Sequence, residues 1–537
     1  MATLRALQLR VENSYAWATR SWMPAMVVIL VTFALVTRLL DDYPILPDGL
    51  RSIATAGGLE AESNLTSVFE KLTDVSQQHM PGYFLALFVW GKIAGWDPLL
   101  LRTFSVFFGI LILALIFRLG RDFVSREAGI FSIVMLASLS FYNLWYLPVR
   151  MYTLFVATGL WLLWLYLRAV VHNRTSPRDY ALLFLACALF LYSQIFSLAV
   201  GLGLALHHLF FNMLPAARAE RNRYLTQGRR SSSVPPSGLV AANSRHCLLV
   251  AAAGALAGLT ILPWLSTLLT GTAEIVGGEF GDIRVLSPVE TATTILSLSM
   301  NASILFLGLL ALSVRQVLKR DRTSITLWTI LIVAIVFYAA VNWATGAIDL
   351  HRSRYFVVLF PLIILLLNVG LAQLNRWKLV SLGILLFWIA SGLLYQRRVG
   401  ADIFVRSYNT IPIHLVERHL RADLRPGDLL AGWSGGLSFE YRTPYGGIID
   451  YYFSDEEIDI EIQHTYALQQ LDDEEISATL AERFAGYKRI WLTYELDNTA
   501  RFHKLYQDAL ALAHARCFRD RTLARVAIEL YGRPGCD

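Results

Sequence analysis

Residues 80–94 read MPGYFLALFVWGKIA, an apolar stretch slightly too short to cross a lipid bilayer. Its aromatic residues and Lys92 are typical of an amphipathic helix that lies in the membrane interface. The alternative is a short ordinary span. This choice decides the fold, because one more crossing here would move every later loop to the other side of the membrane.

The chain around this stretch divides into a long hydrophobic body and a polar tail. With 55% apolar residues, 16% charged residues and a mean hydropathy of +0.48, a water-soluble protein of 537 residues is excluded. We predict an α-helical polytopic membrane domain at 1–399 and a soluble α/β domain at 400–537. The formal charge is +6, and the arginines lie mainly in short loops between apolar stretches. This position is typical of residues that determine membrane topology, and we predict no nucleic-acid partner.

Eleven apolar stretches are long enough, or nearly so, to be transmembrane helices. They lie at 22–40, 103–119, 128–147, 153–167, 180–197, 199–214, 246–269, 294–314, 325–343, 355–372 and 380–396. If the N-terminus is inside and residues 80–94 do not cross, the basic loops all fall inside, as the positive-inside rule requires. The odd number of helices then places the tail outside the cytoplasm, and the basic N-terminus predicts a retained signal anchor.

The tail alternates helical and strand patterns, which predicts an α/β fold with a partly parallel sheet. Residues 432–436, GWSGG, lack the spacing and the lysine of a phosphate loop, so we interpret them as a turn. Cys517 and Cys536 could form a disulfide if the tail is extracytoplasmic, whereas Cys187 and Cys247 lie in apolar stretches and are typical of core residues.

The first extracytoplasmic loop, residues 41–101, carries several acids. Asp41 and Asp42 directly follow the first predicted helix, where a solvated helix end explains them. Asp48 lies in a Pro-Asp-Gly turn before a helical pattern, so it could be an N-cap or a general base at the membrane face. The second interpretation makes Asp48 a candidate catalytic residue.

Two further candidates lie at the same predicted face. His79 opens the interfacial stretch and could orient an acceptor or assist proton transfer, although a boundary histidine can be purely structural. Arg150 lies between two predicted helices with no acid near it in the sequence, and Tyr152 follows it. A charge at that position needs a partner, and an anionic ligand is a good candidate.

The densest polar cluster of this face directly precedes a later helix. It comprises Asp349, His351, Arg352, Arg354 and Tyr355. Its arginine pair could clamp a lipid phosphate, or it could anchor the helix by snorkelling to the interface. Because the first loop and the loop around Arg150 reach the same face, the sequence predicts one shared site.

These pieces resemble the integral-membrane glycosyltransferases of the GT-C class, in particular the bacterial protein mannosyltransferase and aminoarabinose-transferase-like families. The matching motifs are Asp48-Gly49, His79-Met80-Pro81-Gly82-Tyr83, Arg102-Thr103-Phe104-Ser105, Gly120-Arg121, Leu147-Pro148-Val149-Arg150-Met151-Tyr152 and Arg354-Tyr355. Their order and spacing are more specific than any single motif. Two acids of the family pattern are absent, since Gly49 and Pro148 stand in their places.

The resemblance implies a polyprenyl-phosphate-linked sugar donor, an inverting displacement in which Asp48 deprotonates an acceptor hydroxyl, and a bacterial inner membrane location. The acceptor would be a lipid, a glycan or a protein, and we expect no metal and no other cofactor. His79 is the second catalytic candidate, and the substrate-binding candidates are Arg150, Tyr152, His351, Arg352, Arg354 and Tyr355.

Two other functions use the same sequence features. A non-catalytic lipid-binding or carrier membrane protein on the same scaffold is the alternative, because two acids of the family pattern are absent. A secondary transporter fits less well, since the sequence has no internal repeat and its acids lie in a loop rather than in mid-membrane.

Overall fold

The computed structural model describes residues 22–38, 40, 45, 47–60, 62–74, 76–143, 145, 147–172, 176–227, 244–278, 286–301, 303–346, 348, 353–374, 377–399, 413–434, 453, 458–464, 472–495, 500–523 and 526–533. Up to residue 399 the described chain is helical. Its α-helices are α1 (Met23–Thr37), α2 (Pro47–Thr55), α3 (Leu65–Asp74), α4 (Pro81–Ala94), α5 (Pro98–Phe123), α6 (Arg126–Ala137), α7 (Ser140–Asn143), α8 (Tyr152–His172), α9 (Pro177–Ser193), α10 (Ser197–His208), α11 (Leu214–Gln227), α12 (Ser244–Leu259), α13 (Leu262–Gly278), α14 (Pro288–Ser299), α15 (Leu307–Leu318), α16 (Arg322–Thr345), α17 (Leu359–Ala372) and α18 (Lys378–Val399).

Four helical segments in the described residues are long and apolar enough to cross a membrane, judged by length and composition. They are α5, α8, Ser197–Arg221 and α16. The number rises to six if each of two bent helix pairs forms one span. The described residues therefore indicate a multi-pass membrane protein, while fewer helices pass this test than the eleven that the sequence predicts.

The bends explain part of the difference. Helix α12 joins α13 at an angle of 52°, and α14 joins the Ile304–Leu318 segment at 95°. The predicted helix at 128–147 is also interrupted, since α6 ends at Ala137 and the side chain of Asn143 donates to the Ala137 carbonyl. Hydropathy records an apolar run, but it does not record a change of helix direction inside the run.

Residues 80–94 form a helix, as predicted. At about 1.5 Å per residue, α4 is roughly 21 Å long and therefore shorter than the hydrocarbon core of a bilayer. The indole of Trp90 donates to the Leu100 carbonyl at 2.9 Å, which ties α4 to the first turn of α5. A Cβ at Gly82 would lie 2.6 Å from the Tyr192 carbonyl oxygen, so that only glycine allows α4 to pack this closely on α9.

The described part of the tail is built on a five-stranded mixed sheet in the order β2-β1-β3-β5-β4. The strands are β1 (Leu429–Ser434), β2 (Asp459–His464), β3 (Arg489–Glu495), β4 (Ala515–Leu523) and β5 (Val526–Gly532), and the helices are α19 (Ile413–Asp423), α20 (Asp473–Phe484) and α21 (Ala500–Ala511). Strand β1 is parallel to both of its neighbours, and β5 is antiparallel to both of its own. Apolar residues of α20 and α21 cover one face of the sheet.

The interpretation of residues 432–436 as a turn is wrong for its first part, because Gly432, Trp433 and Ser434 are the last residues of β1. Gly432 has a φ of 151°, and a Cβ at this position would collide with the Thr493 carbonyl oxygen of β3. Glycine is needed for the close approach of two strands rather than for a reversal of the chain.

The cysteines separate into two kinds. Cys187 and Cys247 are free, and Cys247 is buried, which agrees with the prediction of core residues. Cys517 in β4 is disulfide-bonded. The predicted partner, Cys536, lies outside the described residues.

Candidate active site

Three distant segments bring one carboxylate and two guanidinium groups together. Asp48 lies in the first turn of α2, Arg150 in the segment before α8, and Arg354 in the 3₁₀-helix Ser353–Phe356 before α17. Nη2 of Arg354 donates to Oδ2 of Asp48 at 3.0 Å, and Nη2 of Arg150 lies 3.8 Å from the same oxygen. The structure thus joins three residues that the sequence predicts for one site.

Asp48 is not the N-cap of its helix. Helix α2 begins at Pro47, so Asp48 lies inside the first turn, where the helix dipole favours a carboxylate. Its side chain is 32% exposed, whereas those of Arg150 and Arg354 are 6% and 12% exposed. The carboxylate is therefore the most accessible group of the three.

Arg150 also fixes the backbone around Asp48. Its Nη1 donates to the Asp48 carbonyl and to Oγ of Ser52, both at 3.0 Å. Ser52 lies one helical turn after Asp48, and its hydroxyl donates a hydrogen bond to the same carbonyl. Ser52 follows Asp48 by four residues and therefore lies on the same face of the helix. This spacing could have predicted from the sequence that Ser52 belongs to the site.

The two arginines determine the charge of Asp48. Partial burial by itself would raise the pKa of this carboxyl, but the positive charges of Arg150 and Arg354, with a smaller contribution from Arg51, outweigh it and hold the pKa at about 2. Asp48 is therefore ionised throughout the neutral range. Its low pKa also means that it is a weak base as long as both guanidinium groups remain beside it.

His79 lies in the same electrostatic cluster. Burial, followed by the positive charge of Arg150, lowers the pKa of this imidazole to about 3, although the carboxylate of Asp48 opposes the shift. The His79 backbone is held by Trp264, whose indole donates to the carbonyl of His79 at 3.0 Å. At neutral pH, His79 is an uncharged group that can exchange hydrogen bonds with a ligand.

The Arg102-Thr103-Phe104-Ser105 motif holds two backbone segments near the site in place. Nη1 of Arg102 donates to the Leu40 carbonyl at 2.6 Å, and Oγ of Ser105 donates to the Pro148 carbonyl at 2.7 Å. Both side chains are buried. The motif therefore ties the end of α1 and the segment that carries Arg150 to α5, and it does not itself supply a charge to Asp48.

The segment that carries Arg354 is held by aromatic packing. The hydroxyl of Tyr338, in α16, donates to the Tyr355 carbonyl at 2.8 Å. The ring of Phe196 stacks on those of Tyr338 and Tyr355, with centroid distances of 5.1 and 4.7 Å. Sequence analysis missed Tyr338 and Phe196, because an aromatic residue in an apolar stretch carries no signal of such a contact.

Two buried tyrosine hydroxyls close to this cluster lack a hydrogen-bond partner among the described residues. The side chains of Tyr83 and Tyr152 are buried, and neither hydroxyl has a hydrogen-bond partner within the described part of the chain. The rings of Tyr152 and Trp145 pack edge to face, with their centroids 4.8 Å apart. The positive charge of Arg150 acts on the hydroxyl of Tyr83. A buried hydroxyl without a partner is costly, so that a polar ligand would stabilise both.

Some predicted residues cannot be placed. His351 and Arg352 lie outside the described residues, as do Asp41, Asp42 and Asp349. Their predicted roles remain predictions. Tyr355 is described. Its ring stacks on Phe196 and lies 5.9 Å from the guanidinium carbon of Arg354, and its carbonyl accepts from Tyr338.

Comparison of the sequence with family models and with curated proteins finds no match. Comparison of the structure finds similar folds. The apo crystal structure of ArnT from Cupriavidus metallidurans has a TM-score of 0.52 at 12% identity, over 95% of this chain and 98% of that chain. ArnT bound to undecaprenyl phosphate gives 0.48 at 11% identity, over 96% and 98% of the two chains.

The oligosaccharyltransferase AglB from Archaeoglobus fulgidus, solved with an inhibitory peptide and a dolichol-phosphate, gives a TM-score of 0.46 at 10% identity, over 95% of this chain and 74% of that chain. At such identities a likeness concerns the fold. The similarity to apo ArnT extends over nearly the whole of both chains, helical body and tail together. The protein therefore has the fold of the GT-C glycosyltransferases.

Proposed function

We propose that this protein is a glycosyltransferase that moves a sugar from a polyprenyl-phosphate donor to an acceptor hydroxyl. The observation that carries the proposal is the partly exposed carboxylate of Asp48 between the buried guanidinium groups of Arg150 and Arg354. A sugar phosphate already has a good leaving group, so catalysis needs mainly cations for the departing phosphate and a base for the acceptor. The cluster contains both.

The arginines would hold the donor phosphate. A guanidinium group presents paired N–H donors that match two phosphate oxygens, and the low exposure of Arg150 and Arg354 strengthens such a contact. The hydroxyls of Tyr83 and Tyr152 would add hydrogen bonds to the donor. ArnT, whose fold this chain shares, has been solved with undecaprenyl phosphate bound.

Asp48 would be the general base. The acceptor oxygen attacks the anomeric carbon, the bond between this carbon and the phosphate oxygen breaks, and its electron pair stays on the phosphate. The acceptor proton moves to the carboxylate of Asp48, and a single displacement inverts the anomeric carbon. Because a bound phosphate competes for the same guanidinium groups, donor binding would raise the pKa of Asp48 and make it a better base.

We place this reaction at the extracytoplasmic face of a bacterial inner membrane, with the tail on the same side. The disulfide at Cys517 supports this side, since disulfides persist in oxidising compartments. The alternation of basic loops in the sequence supports it as well. The acceptor would be a lipid, a glycan or a protein that reaches the membrane face.

A non-catalytic lipid-binding protein on the same scaffold is the second candidate. It is favoured by one observation, namely that both guanidinium groups lie beside the carboxylate and leave it weakly basic. In that case the arginines would bind a lipid phosphate, and Asp48 would only hold them in place.

Transfer of a labelled sugar by the purified protein, from a panel of polyprenyl-phosphate sugars, distinguishes the two candidates. Asp48→Asn is the matched variant, because it keeps the shape of the side chain and removes its charge. Transfer by the wild type that the variant loses supports the proposed function. Binding of polyprenyl phosphate without transfer from any donor would instead support the lipid-binding protein.

A further inference from the structure

A second charged cavity lies between α5 and α8, at the ends of these helices that are far from Arg102 and Arg150. It encloses about 340 Å³ and is lined by Arg118, Asp122 and Phe123 of α5 and by Trp164, Arg168 and His172 of α8. At about 1.5 Å per residue, Arg168 lies roughly 24 Å along α8 from Tyr152. This distance approaches the thickness of a bilayer core, so the two sites belong to different membrane faces.

Two arginines and one acid line this cavity, and each arginine has an acidic partner. Nε of Arg118 donates to Oδ2 of Asp122 at 2.7 Å, and the indole of Trp164 donates to the same oxygen at 3.0 Å. Nη2 of Arg168 lies 3.4 Å from Asp179, whose carboxylate already caps the start of α9. The lining therefore contains two guanidinium groups and one carboxylate, and a bound phosphate would compete with Asp122 and Asp179 for the outer N–H donors of the arginines.

The guanidinium groups are arranged around one aromatic ring. The guanidinium carbons of Arg118 and Arg168 lie 5.8 and 5.4 Å from the centroid of the Trp164 ring. Stacking on an aromatic ring orients a guanidinium group while its outer N–H donors stay accessible. The side chains of Arg118 and Arg168 are 58% and 37% exposed, so both can reach a ligand outside the helix pair.

An apolar stripe leads from this cavity toward the middle of α5. Phe107, Leu111 and Ala114 are exposed and precede Arg118 at helical spacing, so that they share its face. Apolar residues on the face of a membrane helix contact lipid chains. A phosphate at the cavity would therefore continue into a surface that accommodates acyl chains.

We propose that the cavity between Arg118 and Arg168 binds the phosphate of an anionic phospholipid, in the leaflet opposite the Asp48 site. Each arginine can direct paired N–H donors to phosphate oxygens, and the Phe107, Leu111 and Ala114 stripe takes an acyl chain. The position at the ends of two membrane helices favours a lipid over a soluble phosphate. The site shares no residue with the Asp48 cluster, so it stands or falls independently of the proposed function.

The proposal is tested with the full-length protein, purified in detergent and delipidated. Binding is measured by native mass spectrometry in three titrations, and inorganic phosphate is also added as a competitor of the lipid. The ligands are phosphatidylglycerol, phosphatidylcholine of the same chain length, and inorganic phosphate. We expect saturable binding of phosphatidylglycerol, weaker binding of phosphatidylcholine, and no competition by millimolar phosphate. Equal binding of the two lipids, or full displacement by inorganic phosphate, would overturn the lipid assignment.

Two variants and a control localise the binding. Arg118→Gln/Arg168→Gln should lose about 30-fold in affinity for phosphatidylglycerol, since each arginine near a lipid surface contributes about fivefold. Arg315→Gln/Lys319→Gln removes the same charge from an exposed helix end outside the cavity and should bind like the wild type. An equal loss in the control would show general attraction between charges rather than a site.

A charge-conserving variant covers the case in which the glutamine variant does not fold. Arg118→Lys/Arg168→Lys keeps both positive charges but removes the paired donors and the planar stacking on Trp164. We expect an affinity between those of the wild type and the glutamine variant. An affinity equal to that of the wild type would overturn the arrangement of guanidinium groups that we propose.

Discussion

Arg354 holds Asp48 across more than half of the chain, with Nη2 of Arg354 at 3.0 Å from Oδ2 of Asp48. The contact joins the first turn of α2 to the 3₁₀-helix that precedes α17. The carboxylate and the cation of the proposed reaction are thus paired with each other in the absence of a ligand. An anionic donor would have to compete with Asp48 for the guanidinium group, and the predictions below follow from this competition.

Arg354→Ala should weaken binding of polyprenyl phosphate about 10- to 100-fold, because a charge-assisted hydrogen bond contributes about 1.5–3 kcal/mol. Binding of a radiolabelled polyprenyl phosphate to protein in detergent measures the change. Arg354→Lys keeps the charge and should lose less. Unchanged affinity in the alanine variant would leave Arg354 as a structural partner of Asp48 that does not bind the phosphate.

Asp48→Asn should lower the rate of sugar transfer by about 10²- to 10⁴-fold, the usual contribution of a general base. Its affinity for polyprenyl phosphate should be equal or higher, because the variant no longer competes for Arg150 and Arg354. Single-turnover transfer and equilibrium binding, measured on the same preparation, separate the two effects. Wild-type transfer by this variant would exclude Asp48 as the base.

Donor binding should shift the titration of Asp48. The pKa of this carboxyl is about 2 in the free protein, and a phosphate that takes up Arg150 and Arg354 removes the charges that lower it. Because kcat reports the donor complex and kcat/KM the free enzyme, the acid limb of kcat should lie at a higher pH than that of kcat/KM. Coincident limbs in the two profiles would contradict the competition between donor and carboxylate.

His79 should make folding stability sensitive to acid. Its pKa is lowered from 6.5 to about 3 in the folded state, so the unfolded chain takes up a proton first as the pH falls. The stability that its neutral, buried form contributes is present above pH 6.5 and is lost as the pH falls toward 3. The midpoint temperature of thermal unfolding, measured in detergent, should therefore fall less for His79→Gln than for the wild type as the pH is lowered over this window.

Activity gives a second measurement for the same residue. A neutral His79 at pH 7 predicts no inflection near pH 6.5 in kcat/KM that belongs to this imidazole. If the wild type shows such an inflection and His79→Gln lacks it, the imidazole titrates normally and burial does not lower its pKa.

The site was predictable from the sequence as far as its charges. Asp48, Arg150 and Arg354 lie next to long apolar stretches, and a charge in that context needs a partner, so each attracts notice by itself. Their direct pairing was not predictable, because the contact depends on how three segments converge. Tyr338 and Phe196 were missed for another reason, since packing roles inside apolar helices leave no mark in composition.

The helical body shows a similar division. The helix at 80–94 follows from its composition and from Pro81 at its first position. The 95° bend after α14 does not follow from the sequence. At this bend Asn301 adopts a φ of 50° and donates to the Trp388 carbonyl. Asparagine accepts this left-handed conformation more readily than most residues, but nothing local in the sequence requires it.

Cys517 gives the most direct test of which side of the membrane holds the tail. An extracytoplasmic tail predicts that its disulfide is intact in growing cells and that a membrane-impermeant maleimide does not modify Cys517 until a reductant is added outside the inner membrane. The experiment uses a Cys187→Ala/Cys247→Ala background, since these two residues are free thiols. Modification of intact spheroplasts after reduction, seen as a mass shift, would support the topology. Modification only after lysis would place the tail in the cytoplasm and reverse every loop, including the faces of the Asp48 site and of the cavity between Arg118 and Arg168.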